Sequence, residues 1–264
     1  MIANLQIPCC YSGDHVRLCA ELAHAVYEPL PGDVRRRVAG VVPSGVAFIS
    51  QNYWSNSRVL VVCRGDRAYV VYRGTNIAFR SDFCGTRRSV SANVKCKKLR
   101  WGSGLVHSGF LRIVRETESF VHHSIRRHST DVREIFFTGH SQGGAVAYLA
   151  AMTFLLRSGT RSPFAVYTFG QPRAGDAQFS RDAEFRLGAI YGRVVNARDL
   201  FVGTPLIRQG YDHTREFFHF GPDQLVTRRM QSCGQGWPFS LGGFKDHSMD
   251  NYLRLCVHNS PRHV

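Results

Sequence analysis

Between residues 16 and 27 the apolar side chains Val16, Leu18, Cys19, Leu22, Ala23, Ala25 and Val26 recur at the spacing of one helix face, and Pro29 and Pro31 stop the run. The pattern predicts an opening amphipathic helix. The period then switches to that of strands: residues 47–50 lead toward 58–63, and 67–72 follow across a turn at Gly65-Asp66, which predicts a β-hairpin. Further along, the β-rich run Ile135-Phe136-Phe137 is followed by an Ala/Leu/Met-rich stretch of helix formers over 145–156. Two more apolar runs read as strands, 165–170 and 192–196, the second closed by Ala197-Arg198-Asp199 and a turn at Gly203-Thr204-Pro205. Strand and helix alternating in this way predict an α/β fold, with a mostly parallel central sheet and helices on both faces.

The segment joining the 135–137 strand to the 145–156 helix is Gly139-His140-Ser141-Gln142-Gly143, a G-x-S-x-G pattern. In the order strand, tight turn, helix, that pattern is a nucleophile elbow: the serine sits in a strained conformation at the apex, and a Cβ on either flanking glycine would strike the neighbouring strand or helix. Ser141 is therefore a candidate nucleophile. Acyl transfer to a serine builds negative charge on the carbonyl oxygen, and a preorganised donor aimed at it lowers the barrier by roughly 3 to 4 kcal/mol. The turn Arg73-Gly74-Thr75-Asn76 follows a strand upstream of the elbow, so Thr75 is one candidate donor. The backbone amide of Gln142, at the first turn of the following helix, is the other. Thr75, Ser141 and Asp199 all fall at the carboxyl ends of predicted strands, where open α/β sheets gather their functional groups.

With 264 residues, 44% of them hydrophobic and 12% aromatic, the chain is long enough for a full core, and residues 1–264 are expected to form one domain. The longest apolar stretch, 145–156, is too short to cross a bilayer and lies where a buried helix is expected. Residues 1–10 lack a basic n-region and a sustained apolar core, so the expectation is a cytoplasmic protein, with export by a non-classical route left open. Eight cysteines are present without any C-x-x-C pair, and twelve histidines without H-E-x-x-H. Reduced thiols, no metal and no organic cofactor are the expectation. The 34 Lys and Arg against 19 Asp and Glu, net +15, should draw the protein to anionic surfaces, of which an anionic lipid interface is one. The basic clusters, Arg35-Arg36-Arg37 and Arg126-Arg127 among them, carry little of the aromatic interleaving used on single-stranded nucleic acid, and no specific nucleic-acid partner is expected.

A serine nucleophile needs a histidine base and a carboxylate to orient it, and in this fold they follow the serine in the order acid, then histidine. Asp176 and Asp199 both follow strand ends, and His213, His219, His247, His258 and His263 are all late enough. The chain resembles the class 3 lipases. The pieces that carry the likeness are, in order, Tyr72-Arg73-Gly74-Thr75, Val106-His107-Ser108-Gly109-Phe110, the elbow, Thr168-Phe169-Gly170-Gln171-Pro172-Arg173, Val195-Asn196 with Asp199, Tyr211 with His213, and Asp246-His247-Ser248-Met249-Asp250-Asn251-Tyr252. The resemblance implies an α/β-hydrolase with Ser141 as nucleophile, Asp199 as acid, His247 as base, and Thr75 and Gln142 as oxyanion hole. It leaves Asp176 and His213 to structural roles, and His140 to a supporting one.

The chain departs from the family after its Arg-Gly-Thr turn, where an Asp-Trp pair is common; here the run is Ala78-Phe79-Arg80-Ser81-Asp82-Phe83. A short lid over 77–83, presenting Ile77, Phe79 and Phe83 to lipid, is the expectation there, against an ordinary covering loop. After Asp199 the usual Pro-x-Leu-Pro is replaced by Phe201-Val202-Gly203-Thr204-Pro205-Leu206. Trp237, Phe239, Leu241 and Phe244, upstream of His247, are candidates for an acyl pocket, with packing of a long loop as the alternative. The expected function is hydrolysis of fatty acyl esters of glycerolipids, with a phospholipase or a short-chain esterase as alternatives. A non-catalytic protein that binds polyanions or membranes on a hydrolase fold is the alternative of another class.

Overall fold

A computed structural model describes residues 13–52, 55–75, 97–129, 131–158, 165–221, 223–231 and 243–259. The strands are β1 (Val46–Asn52), β2 (Ser57–Arg64), β3 (Arg67–Tyr72), β4 (Lys98–Trp101), β5 (Gly104–His107), β6 (Glu134–His140), β7 (Ala165–Phe169), β8 (Tyr191–Asn196), β9 (Glu216–Phe220) and β10 (Val226–Met230). The helices are α1 (Gly13–Ala25), α2 (Pro31–Val41), α3 (Ser108–His128), α4 (Gln142–Ser158), α5 (Ala177–Leu187), α6 (Gly243–Asp246) and α7 (Met249–His258). Eight strands form one sheet in the order β1-β2-β3-β6-β7-β8-β9-β10, and β4 pairs with β5 in a separate hairpin. The interior of the large sheet, from β3 through β6, β7 and β8 to β9, is parallel, while β1-β2, β2-β3 and β9-β10 are antiparallel. The predicted hairpin is β2-β3, in register from Val59 opposite Tyr72 to Arg64 opposite Arg67.

Because side chains alternate across a strand, each interior strand feeds two cores. Val59, Val61 and Cys63 of β2 and Ile135 and Phe137 of β6 pack on α3 and α4, whereas Leu60, Val62 and Phe136 pack on α1, α2 and α7. Burying each such side chain contributes roughly 1.5 to 3 kcal/mol, which is why these strands read as near-continuous apolar runs. The helix behind the elbow, α4, is buried over residues 145–152, while α3 shows the core only one stripe, from Phe110 through Val114 and Val121 to Ile125. The histidines and arginines of 122–128 lie on the last turns of that helix.

Pro31 does more than end the first helix. It is the first residue of α2, where a missing N–H costs nothing and the fixed φ suits the turn. The bend between α1 and α2 is held by Arg58 of β2, whose buried guanidinium donates to the carbonyls of Val26, Glu28 and Pro29 and to Gln51 Oε1. Among the described residues no helix is long and apolar enough to cross a membrane.

Candidate active site

Ser141 stands between β6 and α4 with φ at +57°, the strained conformation expected at the apex of an elbow. The two glycines are there because backbone passes where a Cβ would be. On Gly143 it would lie 2.1 Å from the Tyr72 carbonyl oxygen, and on Gly139 2.5 Å from the Gly143 backbone. Ser141 is also fixed by its own amide, which donates to the Phe169 carbonyl at 2.9 Å.

The serine hydroxyl lies 2.7 Å from His247 Nε2, and His247 Nδ1 lies 2.9 and 2.8 Å from the two carboxylate oxygens of Asp199. A carboxylate accepts, so the imidazole carries its proton on Nδ1 and offers the Nε2 lone pair to the serine O–H. Asp199 is 0% exposed, and each of its oxygens has a further donor. The Phe201 amide donates to Oδ1 at 2.9 Å and the Tyr252 hydroxyl to Oδ2 at 2.7 Å. Tyr252 in turn accepts from the amide of Asn196, at the end of β8. The loop carrying Asp199 is clamped by Arg173, whose buried guanidinium donates to the carbonyls of Gly203 and Pro205. Burial brings the Arg173 pKa down to about 10, still charged near neutrality. His247 is tied to the same strand end through α6: Asn196 Nδ2 donates to the Asp246 carbonyl, and the Arg198 amide to the Asp246 carboxylate.

His140 lies behind the imidazole of His247. Its Nε2–H donates to the backbone carbonyl of His247 at 2.8 Å, and its Nδ1 accepts from the Tyr27 hydroxyl at 2.8 Å. Burial, reinforced by the nearby His247, holds its pKa well below 6.5 and so keeps it neutral. Tyr27 also takes a hydrogen bond from the Gly74 amide, so one chain of bonds runs from the turn that bears Thr75 to the backbone of His247. Thr75 Oγ1 donates to Gln142 Oε1 at 2.5 Å, which brings the two candidate oxyanion donors together across the mouth of the elbow. Gln142 is the first residue of α4, where the amide has no partner within the helix and the helix dipole favours an anion.

The rival residues are engaged elsewhere. Asp176 caps α5 by accepting from the Phe179 amide, and His213 is buried with Nε2–H donating to the Val202 carbonyl. His219 is spent on the Ala197 carbonyl. Of the candidate acyl-pocket residues, Phe244 on α6 is 61% exposed, with its ring meeting that of Phe201 at 82°. Trp237, Phe239 and Leu241, and the candidate lid residues Ile77, Phe79 and Phe83, lie outside the described residues. Cys19, Cys63 and Cys256 are buried and in no disulfide. Tyr252, Tyr27, Gly170 and Phe201 also pack into the site, though the local sequence pattern marks none of them. Tyr252 and Gly170 do stand inside the pieces that carry the family likeness, but a residue that bonds only to another side chain's partner has no local signature.

The family model for "Lipase (class 3)" matches residues 69–209. A lipase of Rhizopus niveus is 32% identical over 181 residues, which is 65% of this chain and 44% of that protein. A secreted mono- and diacylglycerol lipase of Fusarium solani is 38% identical over 111 residues, 41% of this chain and 32% of its own length. The chain thus spans less than half the length of these curated relatives. A crystal structure of a lipase from Rhizopus microsporus var. chinensis superposes with a TM-score of 0.71 at 21% identity, covering 91% of this chain and 85% of that one, and shows the α/β-hydrolase fold. The expectation of a cytoplasmic protein is corrected by these relatives, since the Fusarium enzyme is named as secreted. That expectation came from the makeup of ten residues, and a targeting signal is read by a receptor and not by the fold. With the matched span taking in most of β3, the elbow and Asp199, and covering more than half of its residues, the chain belongs to the class 3 lipase family.

Proposed function

We propose that this protein is a serine-dependent carboxylic ester hydrolase that cleaves fatty acyl esters of glycerolipids. The observation that carries the reading is the hydrogen-bonded line from Ser141 through His247 to Asp199, drawn from three separate parts of the chain. His247 Nε2 takes the Ser141 proton as Oγ attacks the acyl carbonyl, and Asp199 stabilises the imidazolium that results. The amides of Thr75 and Gln142 receive the oxyanion. The tetrahedral adduct collapses as His247 passes its proton to the departing alcohol. Water, deprotonated by the same imidazole, then releases the fatty acid from Ser141. No metal or organic cofactor enters this scheme.

Acylglycerol as substrate is supported by the family and by the relative named as a mono- and diacylglycerol lipase. An anionic lipid surface as the place of action is supported by the net charge of +15 and by the exposed Arg198, Leu206, Arg208, Phe244 and Lys245 on segments that flank the acid or precede the base. Residues 1–264 are taken to work as one hydrolase unit outside the cell, as the secreted relative suggests.

The test is hydrolysis of p-nitrophenyl esters from short to long acyl chains, and of emulsified acylglycerols, by wild type and Ser141→Ala. The expected result is a loss of at least about 10³-fold in kcat/KM with the variant. Preference for short chains would make the protein an esterase, and preference for phospholipid over acylglycerol a phospholipase. Hydrolysis that survives Ser141→Ala sinks the assignment.

A further inference from the structure

The run that follows Asp199 departs from the family pattern, and the departure puts an aromatic ring on the candidate base. Phe201 lies against the imidazole of His247 with the ring centroids 4.0 Å apart and the planes 24° from parallel, a stacked pair. The ring is held there at both ends. Thr204 donates from its amide and its hydroxyl to the Phe201 carbonyl, and the exposed Phe244 packs across the ring at 5.8 Å. The same residue's amide donates to Asp199 Oδ1, so Phe201 steadies the acid with its backbone and covers the base with its side chain.

We infer that Phe201 is a positioning residue of the ester hydrolysis, its π face stabilising the imidazolium that His247 becomes when it takes the serine proton. The inference rests on the proposed roles of Ser141, His247 and Asp199. A neutral imidazole on a phenyl face gains only ordinary stacking, whereas an imidazolium there also gains the attraction between a cation and the ring quadrupole. The interaction therefore strengthens on the way to the transition state, and only interactions of that kind speed the chemical step. The other groups facing the imidazole leave this one distinct. Asp199, from the loop after β8, binds Nδ1, and Ser141, from the elbow, binds Nε2. His140, from the end of β6, lies 4.6 Å away ring to ring and gives its Nε2–H to the His247 carbonyl rather than to the ring. Tyr252, from α7, reaches the acid and not the base.

Two variants separate the ring from the backbone. Phe201→Leu keeps the amide that binds Asp199 and removes the π face, while Phe201→Tyr keeps both. The readout is the pH profile of kcat/KM on p-nitrophenyl butyrate, with the far-UV spectrum and Tm checked for each protein. For Phe201→Leu the plateau is expected to fall about three- to tenfold, in kcat more than in KM, and the acid limb to move down by about 0.5 to 1 pH unit, the same free energy read two ways. Phe201→Tyr is expected to restore both. An unmoved acid limb with an unchanged plateau in Phe201→Leu overturns the inference, as does a loss of rate that Phe201→Tyr shares, which would mark the site as one of packing alone. Either result with Ser141→Ala inactive leaves the ester hydrolase reading standing; an active Ser141→Ala removes that reading instead.

Discussion

Gly170 shows how tightly Asp199 is seated. It follows β7 with φ at +55°, and a Cβ there would lie 2.6 Å from Asp199 Oδ2 and 3.1 Å from both His247 Nδ1 and the Tyr252 hydroxyl. A side chain at this position would thus meet three polar groups of the site at once, in a backbone conformation that already costs an L-residue roughly 1 to 2 kcal/mol. Gly170→Ala is expected to lower kcat/KM by about 10- to 100-fold, because a displacement of the carboxylate by a fraction of an ångström turns the imidazole away from Ser141. Steady-state kinetics beside a thermal melt would check this. A variant that melts a few degrees lower yet keeps full activity would show that the carboxylate can move without cost to the site.

Among the elements, α3 carries the clearest dependence on pH. Its N-cap is His107, whose Nδ1 accepts from the Gly109 amide at 3.1 Å while the ring stacks on Phe110 at 4.1 Å. Burial brings the His107 pKa from 6.5 to about 4, since the charged ring would lose its water, its lone pair for the cap and a favourable place beside the helix dipole. The unfolded chain takes up this proton near pH 6.5 and the folded one only near pH 4, so the stability is full above about 6.5 and lost as pH falls through that window. The loss is on the order of 3 kcal/mol by pH 4. His140, His213 and His219, buried and shifted the same way, add to it in the same sense. His107→Asn keeps a cap acceptor without a titrating group. Urea unfolding at pH 7 and pH 4.5 should show a smaller drop in stability for the variant than for wild type, and an equal drop would place the acid sensitivity elsewhere.

For the whole molecule, the excess of 34 cationic over 19 anionic side chains is a long-range property that salt removes. Initial rates on vesicles of anionic lipid carrying dissolved acylglycerol are expected to fall several-fold between about 0.05 and 0.5 M salt, as the screening length shrinks from more than 10 Å to about 4 Å. Rates on uncharged vesicles should change little. Equal salt dependence on both surfaces would mean that the charge serves solubility and not docking.

The local pattern of the chain was enough for the elements whose character is set by neighbours in sequence. The hairpin β2-β3, the apolar strands β6, β7 and β8, the elbow and the buried α4 all declare themselves through a period of two, a run of helix formers or a pair of glycines. The amphipathic α3 and the outer strands β9 and β10 were not read from the pattern. The exposed, charged side chains of β10, Arg228 and Arg229, show no alternation, because this edge strand meets a core only at its first residue, Val226. The serine was legible because its chemistry requires a particular turn. Nothing within a few residues of Asp199 or His247 separates them from Asp176 or His213; only family resemblance chose them, and only the fold set them 2.8 Å apart. Backbone torsions and side-chain periods are local and can be read along the chain, whereas the pairing of Asp199 with His247, the Tyr252 and Phe201 contacts and the clamp of Arg173 on Gly203 and Pro205 are contacts between distant segments, made when the parallel sheet brings its strand ends to one edge.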